Sequence, residues 1–282
     1  MTRMKSKWLI LFIVFGLILT ACGGGSDDAA EVEEVVAEEP AETLDSPATT
    51  AAAAEPEADP ASICLVLDIG GLGDLSFNDL AYSGYEKAIA DFGMEGTFLE
   101  PDGGGENRGE LLELCAEAGN DLIIGNGFLF DASMNEVAPN YPDLNFAITD
   151  GVAEPANVRG MLFDHAEGSF LAGVAAALKS TNNHVGFLGG VDFPLIHEFE
   201  QGFIAGVQAI NPDIVIEIGY ASVAPDFSGF NDVVKGKEIA LAQYEAGADV
   251  IYHAAGGTGT GMFEAAKEVS ESTGTKVWGI GV

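Results

Sequence analysis

The chain has 282 residues, with 45 acidic against 11 basic side chains and a formal net charge of −34. A surface this negative repels nucleic acid, whose capture depends on Lys and Arg neutralising phosphates, and it disfavours a phosphorylated ligand. His165, His184, His197 and His253 are scattered without metal-ligand spacing, so neither a metal nor a cofactor is expected.

Arg3, Lys5 and Lys7 precede the apolar run Trp8 to Leu19, which ends in Leu19-Thr-Ala-Cys22-Gly. A charged start, an apolar stretch short for a mature membrane helix and a small-residue cleavage site together read as a signal peptide over residues 1–21. The cysteine directly after that site is the lipobox feature of bacterial lipoproteins. The expectation is processing before Cys22, acylation of its thiol and anchoring on the extracytoplasmic face of the cell membrane. The alternative is an ordinary signal peptide with an incidental cysteine. The rest of 22–61 is Gly, Ala, Glu, Asp, Thr and Pro with few large apolar side chains and no basic residue. Such a segment cannot bury enough surface to offset its ordering entropy and reads as a disordered acidic tether.

From residue 62 onward, short β-like runs alternate with amphipathic helical patterns. Strands are expected near 63–69, 96–100, 121–125, 144–149, 157–163, 184–188, 214–219, 249–253 and 276–281. Helices are expected near 76–92, 107–118, 165–179, 197–210, 230–246 and 261–272. This alternation implies an α/β fold of doubly wound parallel sheets, with enough chain for two lobes. The helix at Glu167 to Leu178 is nearly all small or apolar, which predicts that it is buried all round. Cys64 starts the first strand and Cys115 ends the helix leading to a strand expected beside it. In an exported protein the two form a disulfide or, failing that, a pair of buried thiols.

The most informative stretch is Asp68-Ile-Gly-Gly-Leu-Gly-Asp-Leu-Ser-Phe-Asn-Asp79, a strand-to-helix turn at the carboxyl end of a parallel strand, where open α/β sheets bind ligands. Its glycines let the backbone bend and approach a ligand, while Asp68, Asp74, Ser76 and Asn78 offer polar groups. Phe77 is either a staple packing into the core or a platform for a flat ring. The turns carrying Asp68, Asp74 and Asp150 have no Arg or Lys beside them in sequence, so a phosphate would meet uncompensated repulsion. Gly256-Gly-Thr-Gly-Thr-Gly261 lacks the dinucleotide spacing, and no Gly-x-Ser-x-Gly elbow is present. Asp68 and Asp74 as an acid–base pair would make the chain a nucleoside-processing hydrolase, the alternative to a binding protein.

The pattern Asp68-x-Gly-Gly-x-x-Asp74-x-Ser76-Phe77-Asn78 resembles the signature of the basic membrane protein (PnrA-like) family. Further matches occur, in the family's order, at Glu167-Gly-Ser-Phe-Leu-Ala-Gly173, Val185-Gly-Phe-Leu-Gly-Gly190, Gly202-Phe-x-Ala-Gly206 and Ala255-Gly-Gly-Thr-Gly-x-Gly261. The resemblance implies a non-enzymatic solute-binding lipoprotein of an ABC importer, monomeric, with permease and ATPase subunits as partners. It implies a type I periplasmic-binding fold whose lobes, 62–163 and 164–282, close on a purine nucleoside or similar flat polar ligand, with riboflavin or a sugar as alternatives on the same fold. Phe77 would stack on that ligand, with Asp68, Asp74, Asn78 and Asp150 as polar contacts from lobe one. Tyr252, as a second ring, and Gly256, Gly257 and Thr258 would face it from lobe two. The family also continues beyond Trp278-Gly-Ile-Gly-Val282 with an Asp and a return to lobe one, so a missing C-terminal part is expected.

Overall fold

The computed structural model describes residues 60–282. The expected signal peptide over 1–21, the expected acylation of Cys22 and the expected acidic tether, up to residue 59, lie outside the described residues.

Two parallel sheets organise the chain. The first comprises β1 (Ser62–Val66), β2 (Glu95–Leu99), β3 (Leu122–Gly125), β4 (Asn145–Thr149) and β5 (Val158–Met161), in the order β2-β1-β3-β4-β5. Its helices are α1 (Phe77–Phe92), α2 (Arg108–Glu117) and α3 (Asp131–Val137). After 162–164 the chain enters α4 (His165–Lys179) and the second sheet, formed by β6 (His184–Asp192), β7 (Val215–Val223), β8 (Val250–Ala254) and β9 (Trp278–Ile280) in the order β7-β6-β8-β9. The helices α5 (Pro194–Ile210), α6 (Val233–Ala246) and α7 (Thr258–Thr273) accompany that sheet. Every pairing is parallel.

The mostly apolar, buried runs of β1 and β8 suit strands covered on both faces. In the first sheet Cys64, Val66 and Ile123 pack with Leu112, Phe130, Met134 and Phe146, while Ile63, Leu65 and Leu67 pack on the other face with Tyr85. Cys64 on β1 and Cys115 on α2 are joined as a disulfide, with Cα atoms 5.8 Å apart. In the second sheet Val185 and Phe187 meet Phe203 and Val207, and Leu188 and Ile251 meet Tyr244 and Met262 behind them.

Three findings differ from the sequence reading. Helix α4 is not buried all round: it sets Ser169, Gly173, Ala176 and Ala177 inward but leaves Leu171 68% and Leu178 70% exposed. Small residues on the inner face let α5 approach closely, and that contact, rather than full enclosure, accounts for the composition. Helix α5 begins at Pro194, three residues before the expected start, because proline at the first helical position costs no hydrogen bond. The segment after β3 holds α3, flanked by short 3-10 turns at Phe128–Phe130 and Ala138–Asn140, where no helix was expected.

Candidate ligand-binding cleft

The turn after β1 is built by its own polar side chains. Gly70, Gly71 and Gly73 all take positive φ, of 100°, 58° and 94°, which folds the chain back towards α1. The Asp74 carboxylate then accepts the backbone N–H groups of Ser76 (2.9 Å), Asn78 (2.9 Å) and Asp79 (3.1 Å), satisfying donors that the first turn of α1 leaves open. The Asn78 carbonyl accepts from the Asp68 backbone N–H at 2.9 Å and from the Asn126 amide at 3.2 Å, and its own amide donates to the Ile69 carbonyl at 3.2 Å. Asp74 and Asn78 therefore border the cleft, but their polar atoms hold the turn together. With both its oxygens so engaged, Asp74 is a helix cap and not the free partner of an acid–base pair.

Asp68 stands at the carboxyl end of β1, buried to 7% exposure. Its Oδ1 accepts the Ile69 N–H at 2.7 Å and two donors from Arg108, Nε at 2.9 Å and Nη2. Burial pushes the Asp68 carboxyl up from its ordinary value, and the Arg108 charge and hydrogen bonds act against that rise. The expectation of no cation near the cleft aspartates is thus corrected. Arg108 is 40 residues away in sequence, and the amino end of α2 delivers it to the sheet edge. Its charge is matched by Asp68, so it adds no uncompensated positive charge for a phosphate.

Asp150 leaves β4 with φ of 57° and places Oδ1 3.2 Å from Nε2 of His165, the first residue of α4. The Asp150 carboxylate beside the ring raises the His165 pKa, burial opposes it, and the acidic neighbours Glu198 and Asp164 raise it further. The His165 ring stacks on Phe199 of α5, centroids 4.5 Å apart.

Of these groups Asp68, Asp74, Asn78, Asp150 and Phe199 line a cavity of about 80 Å³, partly open to solvent, at the carboxyl ends of both sheets. Its rings are Phe77, Phe128, Phe199 and Phe230, of which only Phe77 was expected. Phe128 follows β3 as Phe77 follows β1, so the rule that ligands gather at strand ends could have found it; Phe199 and Phe230 carry no such signal. Phe128 stacks on Phe193 at 5.0 Å and meets Phe227 and Phe230 edge-on at 5.9 and 6.4 Å, joining the first sheet's loops to the second's.

The second lobe's expected contacts divide. Gly256 lines the cavity with Ala254 and Ala255, whereas Gly257 is not among the cavity's lining residues. Tyr252 is not a second ring of the cleft: its side chain is in the core, centroid 5.3 Å from Phe203 and 5.8 Å from Phe187, and its hydroxyl is 3.1 Å from that of Ser169. The cleft begins at Ala254, where β8 ends, and Tyr252 lies too far back along the strand to reach it. Thr258 is fully buried, donating to the Gly229 carbonyl and accepting from the Asp232 N–H, both at 2.7 Å, so it ties two loops rather than facing the cleft.

Two α/β lobes with a cavity between the carboxyl ends of their sheets describe an architecture; a comparison with known proteins adds the lineage. The family model described as "ABC transporter substrate-binding protein PnrA-like" matches residues 62–282. The chain belongs to this family. Among PnrA-like relatives, the CD4+ T-cell-stimulating antigen of Listeria innocua is 34% identical over 281 residues, covering 97% of this chain and 71% of that protein. The ABC transporter nucleoside-binding protein BmpA of Lactococcus lactis is 36% identical over 228 residues, covering 77% of this chain and 62% of that one. A solute-binding protein of an ABC transporter system from Aeropyrum pernix superposes with a TM-score of 0.68 at 31% identity, over 78% of this chain and 61% of its own. The fold is the type I periplasmic-binding fold of ABC solute-binding proteins, and the PnrA-like family is one of transport subunits that hold substrate.

Proposed function

We propose that this PnrA-like protein captures a purine nucleoside outside the cytoplasmic membrane, anchored there through acylated Cys22, and delivers it as a monomer to an ABC permease and its ATPase. The observation that carries the reading is the pairing, in one cavity, of four phenylalanine rings with two carboxylates, buried Asp68 and half-buried Asp150. A flat heteroaromatic ring gains stacking energy from such walls, and its N–H and ribose O–H groups match the carboxylate acceptors. The nucleoside-binding name of the Lactococcus lactis relative agrees with that chemistry. Asp68 and Asp150 are assigned as ligand acceptors and Phe77 as the stacking platform. Asp74, Asn78 and Gly256 shape the wall.

Calorimetric titration with purine and pyrimidine nucleosides, riboflavin and simple sugars tests the reading, with chromatography of each mixture for free base and ribose. Purine nucleosides are expected to bind and to be recovered intact. Tighter binding of riboflavin or a sugar would replace the ligand assignment, and release of free base would establish the hydrolase instead.

A further inference from the structure

We infer that Arg108 is a positioning residue for ligand capture: by gripping Oδ1 of Asp68 from behind, it leaves Oδ2 as the oxygen that Asp68 offers to an N–H or O–H of the ligand. The inference deepens the nucleoside reading and rests on it for the identity of the donor.

Arg108 is itself buried, at 9% exposure, and each part of its guanidinium is engaged. Nε and Nη2 donate to Asp68 Oδ1, Nη1 donates to the Gly105 carbonyl at 2.7 Å, and the plane lies over the Phe130 ring, 5.6 Å from its centroid. Three donors converge on Oδ1, whereas Oδ2 accepts no hydrogen bond among the described residues. Oδ2 lies against Gly127, where a Cβ would stand 2.7 Å away, and both Asp68 and Gly127 line the cavity. A fork that holds one oxygen and leaves the other bare fixes the direction of the acceptor as well as its charge.

The neighbouring ionisable groups are committed elsewhere. Asp74 caps α1, Glu100 accepts the Leu72 N–H at 2.9 Å, and Asp150 faces His165 at 3.2 Å. Arg108 is thus the charged group that opposes the cost of burying the Asp68 carboxylate. Without it, Asp68 would take up a proton at higher pH, and Oδ2 would cease to be an anionic acceptor.

The test compares wild type, Arg108→Gln and Arg108→Lys by calorimetric titration with inosine between about pH 5 and 8. Carbon-13 carboxyl titration of the ligand-free proteins runs in parallel, the Asp68 signal being assigned by its loss in Asp68→Asn. Arg108→Gln is expected to weaken binding by about tenfold or more at neutral pH and to move the pH at which affinity is lost upward by about one unit or more. The Asp68 carboxyl signal should shift the same way. Arg108→Lys, which keeps the charge without the fork, should return the pH profile towards wild type with affinity only partly restored. If Arg108→Gln does not fold, the Lys variant decides alone, since affinity equal to wild type would overturn the role of the fork. An unchanged pH profile, with a uniform loss of affinity only, would reduce the pair to a structural ion pair. If wild type binds no nucleoside, the nucleoside reading fails, while the carboxyl titration still decides whether Arg108 keeps Asp68 ionised.

Discussion

Phe77 opens α1 and is half-buried, one edge on the cavity and one against Gly127, whose absent side chain makes room for both the ring and Asp68 Oδ2. Phe77→Ala should weaken nucleoside binding by about 1–3 kcal/mol, the scale of a base stacked on an aromatic ring, with the thermal midpoint nearly unchanged. A collapse of the unfolding transition would instead make the ring a core staple. His253 is a residue of a different kind. It is fully buried on β8, edge-on to Phe263 at 5.4 Å, and neither ring nitrogen has a partner among the described residues. Burial holds its pKa down to about 4 from an ordinary 6.5. Between those values the unfolded chain takes a proton that the native protein refuses. Stability contributed by neutral His253 is therefore lost as pH falls through that window, by about 1.4 kcal/mol per unit and roughly 3 kcal/mol in all. In denaturant titrations from pH 7 to about 4, His253→Leu should flatten this acid limb by one proton. Asp68 and His165, which also titrate, are common to both proteins and cancel in the difference. Parallel stability curves would contradict the assignment.

At the scale of elements, the contact of α4 with α5 rests on absent side chains. A Cβ on Gly206 would strike the Phe170 carbonyl, one on Gly202 the Ala166 carbonyl, and one on Gly173 the Phe203 carbonyl. Backbone cannot yield as a flexible side chain can, so Gly206→Ala is expected to destabilise by about 1–3 kcal/mol, read as a lower thermal midpoint. A neutral result would show that the helices have room to separate. The nine strands among the described residues were legible in the sequence, because apolar runs broken by Gly-rich turns suit buried parallel strands. The start of α5 was misplaced because proline reads as a breaker when its position in the helix is unknown. The composition of α4 was read as burial on all sides, when its glycines and alanines serve one close-packed seam and its leucines face outward.

For the molecule as a whole, the cavity gathers residues remote in sequence, and that is where the reading from sequence thins. Asp68, Phe77 and Asp150 were visible because strand ends and a family pattern mark them. Phe128 went unread although the same strand-end rule marks it, whereas Arg108, Phe199 and Phe230 were not visible, since only folding brings α2, α5 and the β7–α6 loop to one cleft. Tyr252 was misjudged because strand alternation gives the face of a residue but not its distance from the strand end. The resulting site has carboxylates at its wall, Arg108 is already spent on Asp68, and no Arg or Lys side chain lines the cavity among the described residues. It should therefore accept an uncharged nucleoside and reject the same molecule once phosphorylated. The most direct measurement is a calorimetric comparison of inosine with inosine 5′-monophosphate at neutral pH. The account predicts saturable binding of the nucleoside and at least about a hundredfold weaker binding of the monophosphate, the equivalent of roughly 3 kcal/mol of unmatched charge. Equal affinity for the two, or binding of the monophosphate alone, would contradict it.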